Sequence, residues 1–229
     1  MNTLKILGIV VVVGLVVAVG AFSYITRPAS APSESVQVGT ELPETDNEVS
    51  SSALFRISQD ESQVEFNINE VLRGEDKKVI GTTSEVGGDI RVNLDDYSKS
   101  EIGKIRINAR TLETDSDKRN GAISRVILRS EEFEFIEFQP TSISGLPAGS
   151  NSEAPINFKV TGDLTIVETT RPITFNVSVT SMVDDKLIGE GVATINYKDF
   201  DLTIPEVTFV ASVEDEVLLK INFVANKVN

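Results

Sequence analysis

Carboxylates are the commonest groups in this 229-residue chain that could do chemistry, and several fall close together: Asp115 with Asp117, Glu131 and Glu132 with Glu134, Asp199 with Asp201. Such sets could offer oxygens to calcium or divide into a general acid and a general base. None has the spacing of an EF-hand, and carboxylates at alternate strand positions are ordinarily a solvated face. A serine nucleophile needs a base, yet the chain has no histidine and no G-x-S-x-G elbow. The absence of cysteine removes thiol catalysis, disulfides, zinc–thiolate sites and a lipidated N-terminal cysteine. Without histidine the commonest metal ligand and the one side chain that ordinarily titrates near neutrality are also missing. The pair Gly87-Gly88 lacks the Gly-Lys-Ser/Thr of a phosphate loop and reads as a hairpin turn. These residue types predict a protein that is not an enzyme and carries no metal or cofactor.

Charge narrows the partners. The formal net charge is −14, from 21 basic and 35 acidic residues. Phosphate backbones are repelled by such a surface, so nucleic-acid binding is excluded as a main role, and the anionic surface reads as a solubility feature. Oligomeric state is left open.

Function must then rest on apolar residues, and these alternate with period two from Ala53 onward. Val64, Phe66 and Ile68 form one series; Ile90 and Val92, then Ile105 and Ile107, form the next. Downstream come Phe158 and Val160, then Phe175 and Val177, then Ile195, then Phe209, and finally Ile221 and Phe223. About eight or nine antiparallel strands follow, with turns expected at Gly87-Gly88, Asp95-Asp96, residues 146–150 and Asp184-Asp185. Between Asp115 and Arg129 the residues Ile123, Val126 and Ile127 recur at helical spacing, which predicts one short helix across an end of the sheet. The apolar face must be buried in a sandwich or by closure into a barrel, and pattern alone separates neither these two nor a filled core from a cavity.

Two segments precede the domain. Residues 6–25 are uncharged and predominantly apolar, and as a helix would cover roughly 30 Å, so 1–27 is expected to be a transmembrane signal anchor. The rival reading is a signal peptide cleaved near Ala21, giving a secreted or periplasmic protein. With only a short head before this run, the large C-terminal part is the portion expected outside the cytoplasm. Residues 28–52 are rich in Pro, Ser and Glu, and are expected to be a disordered acidic tether ahead of a domain at 53–229.

The order of segments from 53 to 229 resembles the YceI-like family. KVTGDLTIVETTRPITFNVSV, Lys159 to Val179, is similar to its V-x-G-x-L-T-I-x-G-x-T-x-P-V motif through Val160, Gly162, Leu164, Thr165, Ile166, Thr170, Pro172 and Ile173. Arg119, Ser130, Phe133, Pro140 and Ile143 hold the places of a second motif, Ile195, Asp199, Phe200 and Leu202 those of a third, and VEDEVLLKINFVA resembles the closing strand. The resemblance implies an all-β fold, an extended eight-stranded antiparallel barrel similar to a lipocalin, and bacterial export. It also implies a polyisoprenoid or another long apolar lipid in the lumen, lined by the alternating apolar residues named above, with carriage or sequestration near the membrane as the role. Lys77, Lys78, Arg119 and Arg125 are then expected near a mouth, facing a head group. The family's histidines have no counterpart here, and Glu70 stands where a polar mouth residue is expected. The alternative reading is a side-chain-filled barrel serving as a structural or interaction protein of the envelope.

Overall fold

Alternation in the sequence becomes a curled, antiparallel all-β sheet in the computed structural model of the protein, which describes residues 30–37, 42, 51–150, 155–183, 185–205 and 210–228. The expected transmembrane helix at 1–27 and the candidate Phe209 lie outside the described residues. Among those described, no helix is long and apolar enough to cross a membrane.

The strands are β1 (Ser52–Ile57), β2 (Gln63–Leu72), β3 (Glu75–Thr83), β4 (Val86–Gly87), β5 (Asp89–Asn93), β6 (Glu101–Ile102), β7 (Ile105–Asn108) and β8 (Phe135–Ser144). They continue as β9 (Ile156–Ile166), β10 (Thr169–Val183), β11 (Lys186–Asn196), β12 (Val210–Val213) and β13 (Glu216–Lys227). The central run of neighbours is β4-β7-β8-β9-β10-β11-β13. Strand β13 then serves two partners along one edge. Its first half pairs β2, which pairs β3, and its last residues pair β1, which pairs β5. The chain crosses from the β3 side to the β5 side through Gly87 and Gly88.

That crossing corrects the expected hairpin. Gly87 lies in β4 opposite Arg106, and the Gly88 carbonyl accepts from the Ile57 amide at 3.0 Å, so the chain runs on rather than turning back. A Cβ on Gly88 would stand 2.4 Å from Ile105 Cδ1, and close approach explains both glycines better than a turn does. The true turn nearby is Arg73-Gly74, with φ of 54° and 86°, between β2 and β3. Two consecutive positive φ values suit Asn-Gly. Arg73→Asn is therefore expected to raise stability by about 0.5–1 kcal/mol, read from the midpoint of urea unfolding.

Among the described residues one short α-helix, α1 (Asp117–Ala122), continues into a π-type turn over Ile123–Ile127. It covers one end of the sheet: Ile123 and Leu128 pack with Ala109, Leu112, Leu164, Ile166, Phe200 and Val217 in a first buried cluster. A second cluster fills the other end around Phe55, Ile57, Val86, Leu187 and Ala225. At its edge the fully buried Asp89 receives two hydrogen bonds from Arg56, at 2.9 and 3.0 Å.

Residues 30–37 fall in the segment read as a disordered tether, and they are seated on the outer face of β4, β7 and β8. Glu134, 8% exposed, accepts from the Ser33 amide at 2.7 Å, from the Ser33 hydroxyl and from Asn108 Nδ2 at 3.3 Å, and pairs with Arg110 at 3.0 Å. Arg110 also donates to the Ala31 carbonyl at 3.1 Å, and Arg106 pairs with Glu34 at 2.8 Å. Val36 is fully buried, and its carbonyl oxygen would stand 2.8 Å from a Cβ on Gly87. The slot for this strap is thus made by the absence of a side chain.

The strap carries a pH dependence. Burial works against the ionised Glu134, but the hydroxyl and amide of Ser33, the charge of Arg110 and the Asn108 amide outweigh it and hold the carboxyl below its ordinary 4.5. A folded pKa below the unfolded one gives stability that is fully present above the unfolded value and is lost as pH falls through the folded value. Hydrogen-exchange protection of the Ser33 amide, corrected for intrinsic rates, is expected to hold at neutral pH and to fall on acidification below 4.5.

Candidate ligand-binding site

Strand register lays the apolar candidates in rows across the inner face of the curled sheet. One row runs Val64, Ile221, Gly191, Val177, Phe158 across β2, β13, β11, β10 and β9. The adjacent row runs Gly81, Phe66, Leu219, Ala193, and on the other side Phe175, Val160, Ile143. Side chains alternate between the faces of a strand, so residues that are partners by register share a face.

Depth along this face is uneven, and the unevenness defines the site. At the two ends Val160, Ile195, Ile90, Val92 and Phe223 are buried in the clusters, none more than 9% exposed. Between them Val64, Phe66, Ile68, Ile105, Ile107, Phe158, Phe175, Val177 and Ile221 are half-buried. Phe158, Val177 and Ile105 touch both clusters. These half-buried side chains form a belt of accessible apolar surface between the two clusters.

Inward glycines shape this belt. The Phe66 ring lies over Gly81, where a Cβ would stand 2.1 Å from Cε1, and the Phe223 and Phe138 rings approach Gly189 and Gly162, each 2.7 Å from such a Cβ. Flattened against the wall, these rings cover backbone rather than project across the interior. Phe138 meets Phe175 edge-on at 5.0 Å between ring centroids. At Gly191 a Cβ would stand 3.1 Å from Ile221 Cγ2 and 3.7 Å from Val177 Cγ2, so this glycine lets the two side chains lie close across it. The expectation named residues on most of the strands of this face but missed β3 and the glycines; the cross-strand placement of Gly81, Gly162, Gly189 and Gly191 opposite large side chains was the available signal.

A polar network borders the belt at the helix-covered end. Glu70, 8% exposed, continues the inward series of β2 and pairs with Arg119 at 2.8 Å, and Arg119 also holds Asp115 at 2.5 Å. Lys77, opposite Glu70 on β3, donates to Asp115 at 2.8 Å. The hydrogen bond from Lys77, reinforced by the Arg119 charge, keeps the Asp115 carboxyl below its ordinary value. Of the four cations expected at a mouth, Lys77 and Arg119 meet here, Arg125 pairs instead with Glu131 at 2.6 Å, and Lys78 is exposed on the outer face of β3. The carboxylates at 131, 132 and 134 each pair with an arginine, and among the described residues no group of three or more His, Cys, Asp or Glu could hold a metal.

Known proteins share this architecture. A family model described as the YceI-like domain matches residues 55–225. A UPF0312 protein of Pseudomonas fluorescens is 29% identical over 130 residues, a match covering 53% of this chain and 63% of that protein, less than two thirds of its length. The crystal structure of Burkholderia cenocepacia BcnA superposes with a TM-score of 0.57 at 18% identity, over 74% of this chain and 99% of that one. A polyisoprenoid binding domain from Saccharophagus degradans, described as implicated in plant cell wall breakdown, gives 0.57 at 9% identity, over 76% and 98%. At such identities the two structures speak to the fold alone.

Proposed function

Because the chain belongs to the YceI-like domain family across residues 55–225, we propose that its inner belt holds a long apolar lipid of polyisoprenoid type, for carriage or sequestration outside the cytoplasm. The observation that carries this reading is the row of half-buried apolar residues between two filled clusters. The pairings support an eight-stranded, lipocalin-like enclosure: β2, β3 with β4, β7, β8, β9, β10, β11 and β13 trace a circuit, with Thr82 and Glu113 bridging β3 toward the segment after β7. The Glu70–Arg119–Asp115–Lys77 network is suited to a polar head at one end of the bound chain. No step of chemistry on the ligand is part of this reading. The uncharged, predominantly apolar run at 6–25 supports membrane attachment of the exported domain, and N-terminal sequencing of the mature protein separates a tethered carrier, starting at Met1 or Asn2, from one released near Ala21.

A chain-length series tests the binding. Burial of one CH₂ contributes about 0.8 kcal/mol, so affinity for linear and isoprenoid alcohols should rise about tenfold for every two added carbons until the belt is filled. Displacement of a fluorescent fatty probe from the full chain reads this directly. A series flat in chain length is the result that contradicts the proposal.

A further inference from the structure

The strap at 30–37 determines more than its own position. It begins at the helix-covered end, where Ser30 Oγ donates to Glu131 at 3.4 Å and Arg110 holds the Ala31 carbonyl, and it ends where Gln37 Nε2 donates to the Ile57 carbonyl at 3.2 Å. The apolar run ends at Ile25, so the first strap contact, at Ser30, is five residues further along the chain. Even fully extended, they reach no more than about 18 Å. Without the strap the next fixed point is β1 at Ser52, and a flexible chain of that length would wander roughly 30 Å in any direction.

We propose that the strap turns the helix-covered end of the domain toward the bilayer and makes that end a membrane-facing surface. This rests on the membrane-attached reading above. The end so presented carries Val126, a large apolar side chain 38% exposed, beside the Arg125–Glu131 and Arg129–Glu132 pairs. It also carries the polar network bordering the belt, so the same face that meets the lipid surface is the one beside the expected head-group contacts. The opposite end, at the β10–β11 turn, is about 45 Å away along the 15 residues of β10. Pinning through Ser33, Glu34 and Val36 thereby keeps a lipid's path from bilayer to belt short.

The chain's lack of cysteine makes the test clean. Full chain carrying Val126→Cys or Met182→Cys is labelled with a thiol-reactive fluorophore and placed in nanodiscs whose lipid head groups bear a spin-label quencher. Quenching at position 126 is expected to exceed that at 182 several-fold. Adding Val36→Asp, which puts a charge into the buried slot without touching the domain, should bring the two close to equality; Gly87→Val attacks the same slot from the domain side. Equal quenching with the strap intact, or a difference that survives Val36→Asp, overturns the strap's role. A chain that never associates with the nanodisc overturns the membrane attachment itself, a distinguishable failure.

Discussion

Gly191→Leu is expected to reduce uptake of a long apolar chain roughly a hundredfold while leaving the sheet folded. Gly191 sits mid-row, between Val177 on β10 and Ile221 on β13. A Cβ there would meet Ile221 Cγ2 at 3.1 Å and Val177 Cγ2 at 3.7 Å, and the nearby Phe175 Cδ1 is at 3.8 Å. All three are side-chain atoms of half-buried residues, so a few tenths of an ångström of adjustment admits the first carbon and the rest extend into the belt. Roughly four carbons of filled space displace a similar length of ligand, about 3 kcal/mol at 0.8 kcal/mol per CH₂. Gly191→Ala, adding one carbon, should cost only a few-fold. Were the interior already filled by side chains, Gly191→Leu would instead lower the unfolding midpoint through overpacking and have no ligand effect to show.

Asp89→Ala should cost about 3 kcal/mol of stability, the largest single loss expected outside the inner belt. Asp89 is wholly buried, and both of its carboxylate oxygens take hydrogen bonds from Arg56. Removing one partner of a buried pair costs about 3–5 kcal/mol, and the partial exposure of Arg56 places this case at the lower end. Urea unfolding followed by circular dichroism reads it. Since the pair joins β1 to β5, an unchanged midpoint would mean that it contributes nothing to the second cluster.

Strand identity was legible wherever one face carries a run of alternating apolar residues, as in β2, β9, β10 and β13. Strand β3 escaped because its first residues, Glu75 to Lys78, are all charged, and they lie beyond the buried part of the inner face. β8 was visible only as part of a family motif, since Pro140 and the register shift beside it break the alternation. The glycine pair at 87 and 88 misled for a physical reason: turn and close approach both select glycine, and only the neighbours, Val36 on one side and Ile105 on the other, tell them apart. The strap was illegible as structure because its attachments are polar contacts and a single valine, which in composition look like a solvated tether. Alternation also states which face a residue occupies but not how deep it lies, so Val160, Phe223 and Ile195 could not be told from Phe158 and Val177 until the two clusters were placed.

The most direct measurement is the lipid content of the full chain purified from a bacterial membrane fraction: native mass spectrometry, followed by solvent extraction and identification of what is released. The account predicts one long apolar lipid per chain, lost in Gly191→Leu and retained in Gly191→Ala. A chain that emerges empty, and that takes up no isoprenoid alcohol of any length when supplied with it, contradicts the account.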